Sequence, residues 1–133
     1  MKTRNSFLPT DSITGNLSLY IAQTEKKGRG VFAARPFRKG EIIERSCVIE
    51  LEREEHHRLA GSILDQYVFL FDRRKKSLAL ALAYGSLFNH SIQANSSYSR
   101  DIKHKTITFR ALRDISPNEE VTIHYGPAGE SFT

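Results

Sequence analysis

Residues 115–126 read Ile115-Ser116-Pro117-Asn118-Glu119-Glu120-Val121-Thr122-Ile123-His124-Tyr125-Gly126. Within them Val121-Thr122-Ile123-His124-Tyr125 alternates apolar and polar side chains, the period of a strand with one buried face, between the punctuation of Pro117 and of Gly126-Pro127. The same period recurs in Leu17-Ser18-Leu19-Tyr20-Ile21 and in Thr106-Ile107-Thr108-Phe109-Arg110. Ile42-Ile43 and Cys47-Val48-Ile49-Glu50-Leu51 flank a break at Arg45-Ser46 and predict two more strands or one bent one. Helix fits only between Glu52 and Asp65 and around Leu78 to Ala83, and the second of these is equally readable as a fully buried strand. Gly28, Gly30, Pro36, Gly40 and Gly85 interrupt the chain at short intervals, with no internal repeat, low-complexity tract or linker. The expected fold class is mostly β, a β-rich α+β arrangement of short strands.

A chain of 133 residues suits one domain, residues 1–133, that buries roughly two-thirds of the surface an extended chain exposes; a second domain does not fit. With 39% apolar and 26% charged residues the composition is that of a globule, which sets aside disordered and fibrous classes. The longest uncharged, mostly apolar run, Leu78 to Phe88, is too short to span a bilayer, and residues 1–7 lack the apolar stretch of a secretory signal. The expectation is an intracellular protein with no membrane role. Cys47 is the single cysteine, so an internal disulfide and a cysteine-based zinc cluster are excluded, and His56, His57, His104 and His124 show no ligand spacing around it. No metal is expected.

The net charge of +5 is unevenly spread. Residues 41–58 hold three basic and six acidic groups, and residues 114–133 hold four acidic groups and no basic one, a pattern that suits a basic partner. The run Arg73-Arg74-Lys75-Lys76 reads as a solvated loop, and no direct nucleic-acid role is expected of it. A small basic β-barrel binding single-stranded nucleic acid through that run is the competing reading from another class; it predicts steeply salt-dependent binding.

Singly, the remaining motifs are ambiguous. Gly28-Arg29-Gly30 lies between strand-like segments and reads as a turn, without the third glycine of a dinucleotide fingerprint. Asn89-His90-Ser91 reads as a hydrogen-bonded turn, and Tyr125 as a core or rim aromatic. Their order is more specific. Lys27-Gly28-Arg29-Gly30-Val31-Phe32-Ala33-Ala34 is followed by Phe37-Arg38-Lys39-Gly40-Glu41-Ile42-Ile43, then by Tyr67 in Leu64-Asp65-Gln66-Tyr67-Val68-Phe69. Next come Phe88-Asn89-His90-Ser91-Ile92-Gln93-Ala94-Asn95 and, after about 25 residues, the segment 115–126. This series resembles the SET domain of protein lysine methyltransferases, most closely its minimal, viral-type members, over about residues 15–126.

The resemblance implies a SET-domain fold of several small β-sheets with a C-terminal pseudoknot, a rare exception to the rule against threaded chains, and a short tail at 127–133. It implies an S-adenosylmethionine-dependent protein lysine N-methyltransferase acting on a lysine in a basic peptide, a histone tail, laid along an edge strand. Cofactor and peptide are expected on opposite sides, joined by a narrow channel. By resemblance, Tyr125 is the catalytic tyrosine at the neck of that channel, and Tyr67 and Tyr84 are candidates for its wall. Lys27, Gly28, Arg29, Gly30, Asn89 and His90 are the implied cofactor-binding set: the glycines allow close backbone approach, and Lys27 and Arg29 flank them toward the methionine carboxylate. His90 is equally readable as a structural hydrogen-bonder bracing the threaded loop.

Such chemistry asks little of acid and base. The transfer from sulfonium to amine is in-line, so two openings to one passage supply most of the alignment. The lysine must arrive neutral despite a free pKa near 10.4, and desolvation by an aromatic wall together with the nearby sulfonium lowers that value. The proton then leaves through water. Carbonyl oxygens make weak CH···O contacts to the electron-poor methyl group.

This chain also departs from the wider family. It has no cysteine-rich zinc segments, Ala94 stands where a proline is commoner, and Pro127 and Ala128 replace the aromatic that often follows the Tyr-Gly pair. Phe132 is the only aromatic beyond Tyr125, so a second subunit is expected to supply the missing lid, making a homodimer. The acidic pair Glu119-Glu120 is expected to draw in the basic peptide. A catalytically weak SET-like module that binds peptide is the nearer alternative. Nucleus or host chromatin is the implied location for a eukaryotic, viral or effector protein, and cytoplasm otherwise.

Overall fold

The computed structural model describes residues 16–126; the tail 127–133, on which the expectations for Pro127, Ala128 and Phe132 fall, lies outside the described residues. Nine strands are described: β1 (Leu19–Gln23), β2 (Arg29–Ala33), β3 (Ile42–Leu51), β4 (Val68–Leu70), β5 (Leu78–Ala81), β6 (Asn89–His90), β7 (Ser96–Asp101), β8 (Thr106–Ala111) and β9 (Glu120–Ile123). They run in the order β1-β2-β9-β7-β8-β3-β5-β4, with β6 added to β9. One α-helix, α1 (Arg53–Leu59), and two 3-10 turns, Ile63–Tyr67 and Gly85–Leu87, complete the described elements.

Within 115–126 the strand spans only Glu120–Ile123 and Thr122 is buried with it, so the alternation holds in part, for Val121 and Ile123, both fully buried. They join Val31, Ala33, Ile107 and Phe109 in one core, where each large apolar side chain removed from water contributes about 1.5–3 kcal/mol. The pair 42–43 and 47–51 proves to be one ten-residue strand, bent by a register shift between Ile42 and Glu44. Leu78–Ala81 is a strand, not a helix. The helical stretch expected over 52–65 stops at Leu59, because Gly61 takes φ +82°, and only a 3-10 turn follows. In β1 the alternation has the right phase, yet Leu19 alone is buried; Leu17 is 76% and Ile21 43% exposed.

The C-terminal strand is threaded. Ile123 of β9 pairs in parallel with His90 and also with Ser96, so these two neighbours occupy its opposite edges. Residues 91–95 therefore cross over β9 from one edge to the other. Asn95, only 2% exposed, locks the crossing: its Oδ1 accepts the Thr122 N–H at 2.9 Å and its Nδ2 donates to the Glu120 carbonyl at 2.8 Å. A side-chain amide thus stands in for a backbone peptide in the ladder.

Some of the charges are paired. Glu41 pairs with Arg35 at 2.6 Å, and Lys105 donates to the Glu50 carboxylate. Glu44 is buried, accepting from the Tyr84 N–H at 2.9 Å and from Asn16 Nδ2 at 3.1 Å. Arg73 to Lys76 are exposed in the β4–β5 connection. No helix among the described residues is long and apolar enough to cross a membrane.

Candidate active site

The threading brings the ends of β6 and β9 together. The Tyr125 N–H donates to His90 Nδ1 at 3.0 Å, and the two rings lie 5.2 Å apart. The Tyr125 hydroxyl donates to the Phe88 carbonyl at 2.6 Å, while the Tyr98 hydroxyl donates to the Tyr125 carbonyl at 3.3 Å. Phe69 closes on the ring edge at 6.4 Å. Tyr125 is thus held by its N–H, its carbonyl, its hydroxyl and its ring. The residue is 47% exposed overall, but its phenol end is desolvated; that burial, with Tyr67 adding to it, raises its pKa above the usual tyrosine value.

Two cavities have Tyr125 in their walls. One, of about 100 Å³, is walled by Gln66, Val68, Phe69, Leu70 and Tyr98. The other, about 40 Å³, is walled by Ile21, Arg29, Gly30, Leu87 and Asn89. Tyr67, Ser86 and Tyr125 line both. Ser86 fixes this shared neck: its hydroxyl donates to the Tyr67 carbonyl at 2.7 Å and accepts the Ala81 N–H at 2.8 Å.

Of the turn at 27–30, Arg29 and Gly30 line the smaller cavity. Gly28 adopts φ +70°, which a side chain would strain. Lys27 donates from its ammonium to the His90 carbonyl, and Asn89 Nδ2 donates to the Arg29 carbonyl at 3.0 Å. Gly30 is a glycine for lack of room: a Cβ there would lie 2.5 Å from Glu120 Oε2 and 2.9 Å from Asn89 Nδ2. Lys27, Gly28, Arg29, Gly30, Asn89, His90, Tyr125 and Tyr67 therefore gather in one region. Tyr84 does not line either cavity; its hydroxyl donates to the Leu19 carbonyl at 3.3 Å and its ring packs against the core.

Both members of the acidic pair are half-buried and already engaged. Glu119 accepts from Arg113 at 2.7 Å, from the Ser116 N–H at 3.0 Å and from Asn95 at 3.3 Å; burial opposes these bonds, but they prevail and hold its pKa below the ordinary value. Glu120 accepts from Asn89 Nδ2 at 2.8 Å and lines a separate hollow with Gln23, Lys26, Lys27 and Phe32. Sequence reasoning missed Ser86 as a member of the site and gave Glu120 another part, that of drawing in the peptide, rather than its bond to Asn89. Neither role announces itself in one dimension, since a glutamate beginning a strand and a serine in a short turn are both ordinary.

On the Gly30 side Asn89 Oδ1 has no partner among the described residues, which leaves it an open acceptor for a ligand's hydrogen-bond donor. The SET domain family profile matches residues 28–126. A fission-yeast protein, the H3 lysine-37 specific histone-lysine N-methyltransferase of Schizosaccharomyces pombe, is 38% identical over 109 residues, 81% of this chain and 73% of that one. A crystal structure of a candidate histone methyltransferase of Plasmodium falciparum superposes with a TM-score of 0.69 at 28% identity, covering 83% of this chain and 94% of that one. The active polycomb repressive complex 2 in its stimulated state contains a chain with TM-score 0.70 at 21% identity, over 81% of this chain and 15% of that one, a likeness of fold alone.

Proposed function

Since the chain belongs to the SET-domain family, we propose that it is an S-adenosylmethionine-dependent protein lysine N-methyltransferase whose substrate is a lysine in a basic segment, a histone tail. The observation that carries the reading is the pair of cavities sharing Tyr67, Ser86 and Tyr125. The larger is the lysine side. Its lining holds aromatic and aliphatic side chains with Gln66 and Ser86, and no carboxylate, imidazole or cation. Such a wall disfavours the ammonium and presents the amine neutral, the state in which its nitrogen lone pair is free. Val68–Leu70 has β5 as its only strand neighbour, and the Leu70 carbonyl accepts from Arg100 Nε at 2.7 Å, so an extended peptide would pair along the rest of that edge at the rim of this cavity.

Tyr125 is the catalytic residue of this reading. Its proton is committed to the Phe88 carbonyl, so the phenol oxygen keeps its lone pairs for an amine N–H or a polarised methyl C–H. The Tyr67 carbonyl, pinned by Ser86, is a second oxygen at the neck. Lys27, Gly28, Arg29, Gly30, Asn89 and His90 would hold S-adenosylmethionine, which when bound supplies an activated methyl group on its sulfonium. Tyr84 plays a packing part and is not included in the channel wall.

Incubation of the protein with methyl-labelled S-adenosylmethionine and mixed histones, followed by mass spectrometry, tests the reading. Label on histone lysine is expected, with Tyr125→Phe losing at least about 100-fold in turnover while keeping fold and cofactor binding. Full turnover in that variant would remove Tyr125 from the chemistry, and absence of any transfer would remove the activity. The reading extends to one catalytic domain over the whole chain, to a nuclear or chromatin location, and to a homodimer; full activity from a strict monomer at nanomolar concentration excludes the last.

A further inference from the structure

Asn89 offers its carboxamide in one orientation only. Nδ2 donates to the Arg29 carbonyl at 3.0 Å and to Glu120 Oε2 at 2.8 Å. Both partners are acceptors without hydrogens to give, so turning the amide over would set its oxygen against two oxygens. Oδ1 is left as the unengaged atom of a side chain that lines the smaller cavity beside Gly30. Glu120 in turn has no cation in ion-pair range among the described residues, and its carboxylate lies where a Gly30 Cβ would be. The half-buried carboxylate lines a separate hollow with Lys26, Lys27 and Phe32, and it reaches the cavity only through the amide of Asn89.

Resting on the assignment of this cavity to the cofactor, we propose that Glu120 is a positioning residue: it fixes the Asn89 oxygen toward the cavity and makes that end of the site a receptor for a hydrogen-bond-donating cation, the amino end of S-adenosylmethionine. Gly30 is part of the same device, because only a residue without a side chain leaves the carboxylate room to reach Asn89.

The full chain with Glu120→Ala and Glu120→Gln tests this through three readouts. In the ligand-free protein the Asn89 side-chain amide protons should exchange slowly, and Glu120→Ala should remove that protection. By calorimetry the Kd for S-adenosylmethionine should rise about tenfold in Glu120→Ala, the loss of one charge-assisted bond, and less in Glu120→Gln, which keeps an acceptor without the charge. Affinity for 5′-methylthioadenosine, which lacks the amino end, should not change. At saturating cofactor kcat should stay within about twofold, the loss residing in KM. Unchanged Kd in both variants, an equal loss for 5′-methylthioadenosine, or a fall in kcat with KM preserved would each overturn the proposal; should Glu120→Ala not fold, Glu120→Gln alone decides it. A wild-type chain that binds no S-adenosylmethionine would defeat the cofactor assignment instead, and amide exchange would still decide whether Glu120 holds Asn89.

Discussion

His90 and Tyr125 are joined by a bond from the Tyr125 backbone N–H to the imidazole Nδ1, 3.0 Å long. The imidazole must be unprotonated at Nδ1 to accept it, so the ring is a brace for the backbone that carries the phenol. His90→Ala should leave the core intact, because the ring is only half-buried, yet release the loop that aims Tyr125. A misplacement of about 1 Å near the chemistry costs on the order of 100-fold. Steady-state kinetics should therefore show kcat reduced by one to two orders of magnitude with circular dichroism unchanged; wild-type turnover in His90→Ala would deny the brace.

Tyr125 should ionise later than a free tyrosine. Burial raises its pKa, so the folded state prefers the neutral phenol and the unfolded chain ionises first. The stability tied to this group is then fully present below pH ~10 and is lost as pH rises through the higher folded value. Absorbance at 295 nm during alkaline titration should show a late phase whose amplitude Tyr125→Phe lowers. A titration identical in the two proteins would contradict the burial of the hydroxyl.

Asn95 holds the crossing with its own amide. Asn95→Ala strips the partners from the Thr122 N–H and the Glu120 carbonyl, both in the interior of the crossing. The expected loss is about 2–4 kcal/mol, from two buried bonds at once. Urea denaturation measures it, and a loss under 1 kcal/mol would mean that water or another side chain takes over.

Ser46 should tolerate losing its hydroxyl. It is 1% exposed, and its Oγ has no partner within hydrogen-bonding distance among the described residues. Gly85 lies against it so closely that a Cβ there would come within 2.4 Å of that oxygen. Ser46→Ala should thus be neutral or raise stability by up to about 1 kcal/mol, whereas Gly85→Ala should cost at least 1–3 kcal/mol from overpacking. Denaturant midpoints compare the two directly; a strongly destabilised Ser46→Ala would reveal an unseen partner for the hydroxyl.

What the sequence disclosed follows from where the signal is periodic. β8 and β9 carry large apolar residues at every second position, and both were legible. β7 was not: its Ser-Ser-Tyr-Ser-Arg-Asp has one large apolar residue, because small serines are what fit a strand enclosed between β8 and β9, where Ser96 is fully buried. Tyr67 and Tyr84 look alike in sequence, and only the path of the chain sends one to the neck and the other to the Leu19 carbonyl. Charge patterning misled at 119–120, since counting carboxylates cannot tell those that face solvent from those that Arg113 and Asn89 have already engaged.

The strand that Ile123 belongs to is made after the loop that encircles it, since residues 91–95 precede it in the chain. During synthesis the ring must either stay open until 120–125 arrives or close around it as a late event, so the phenol and its imidazole brace meet only when nearly all other contacts exist. Such long-range closure is slow relative to local hairpins. A nascent or truncated chain ending before residue 120 would carry most of the sheet yet no passage for a methyl group, so activity regained during refolding should lag behind the recovery of strand content.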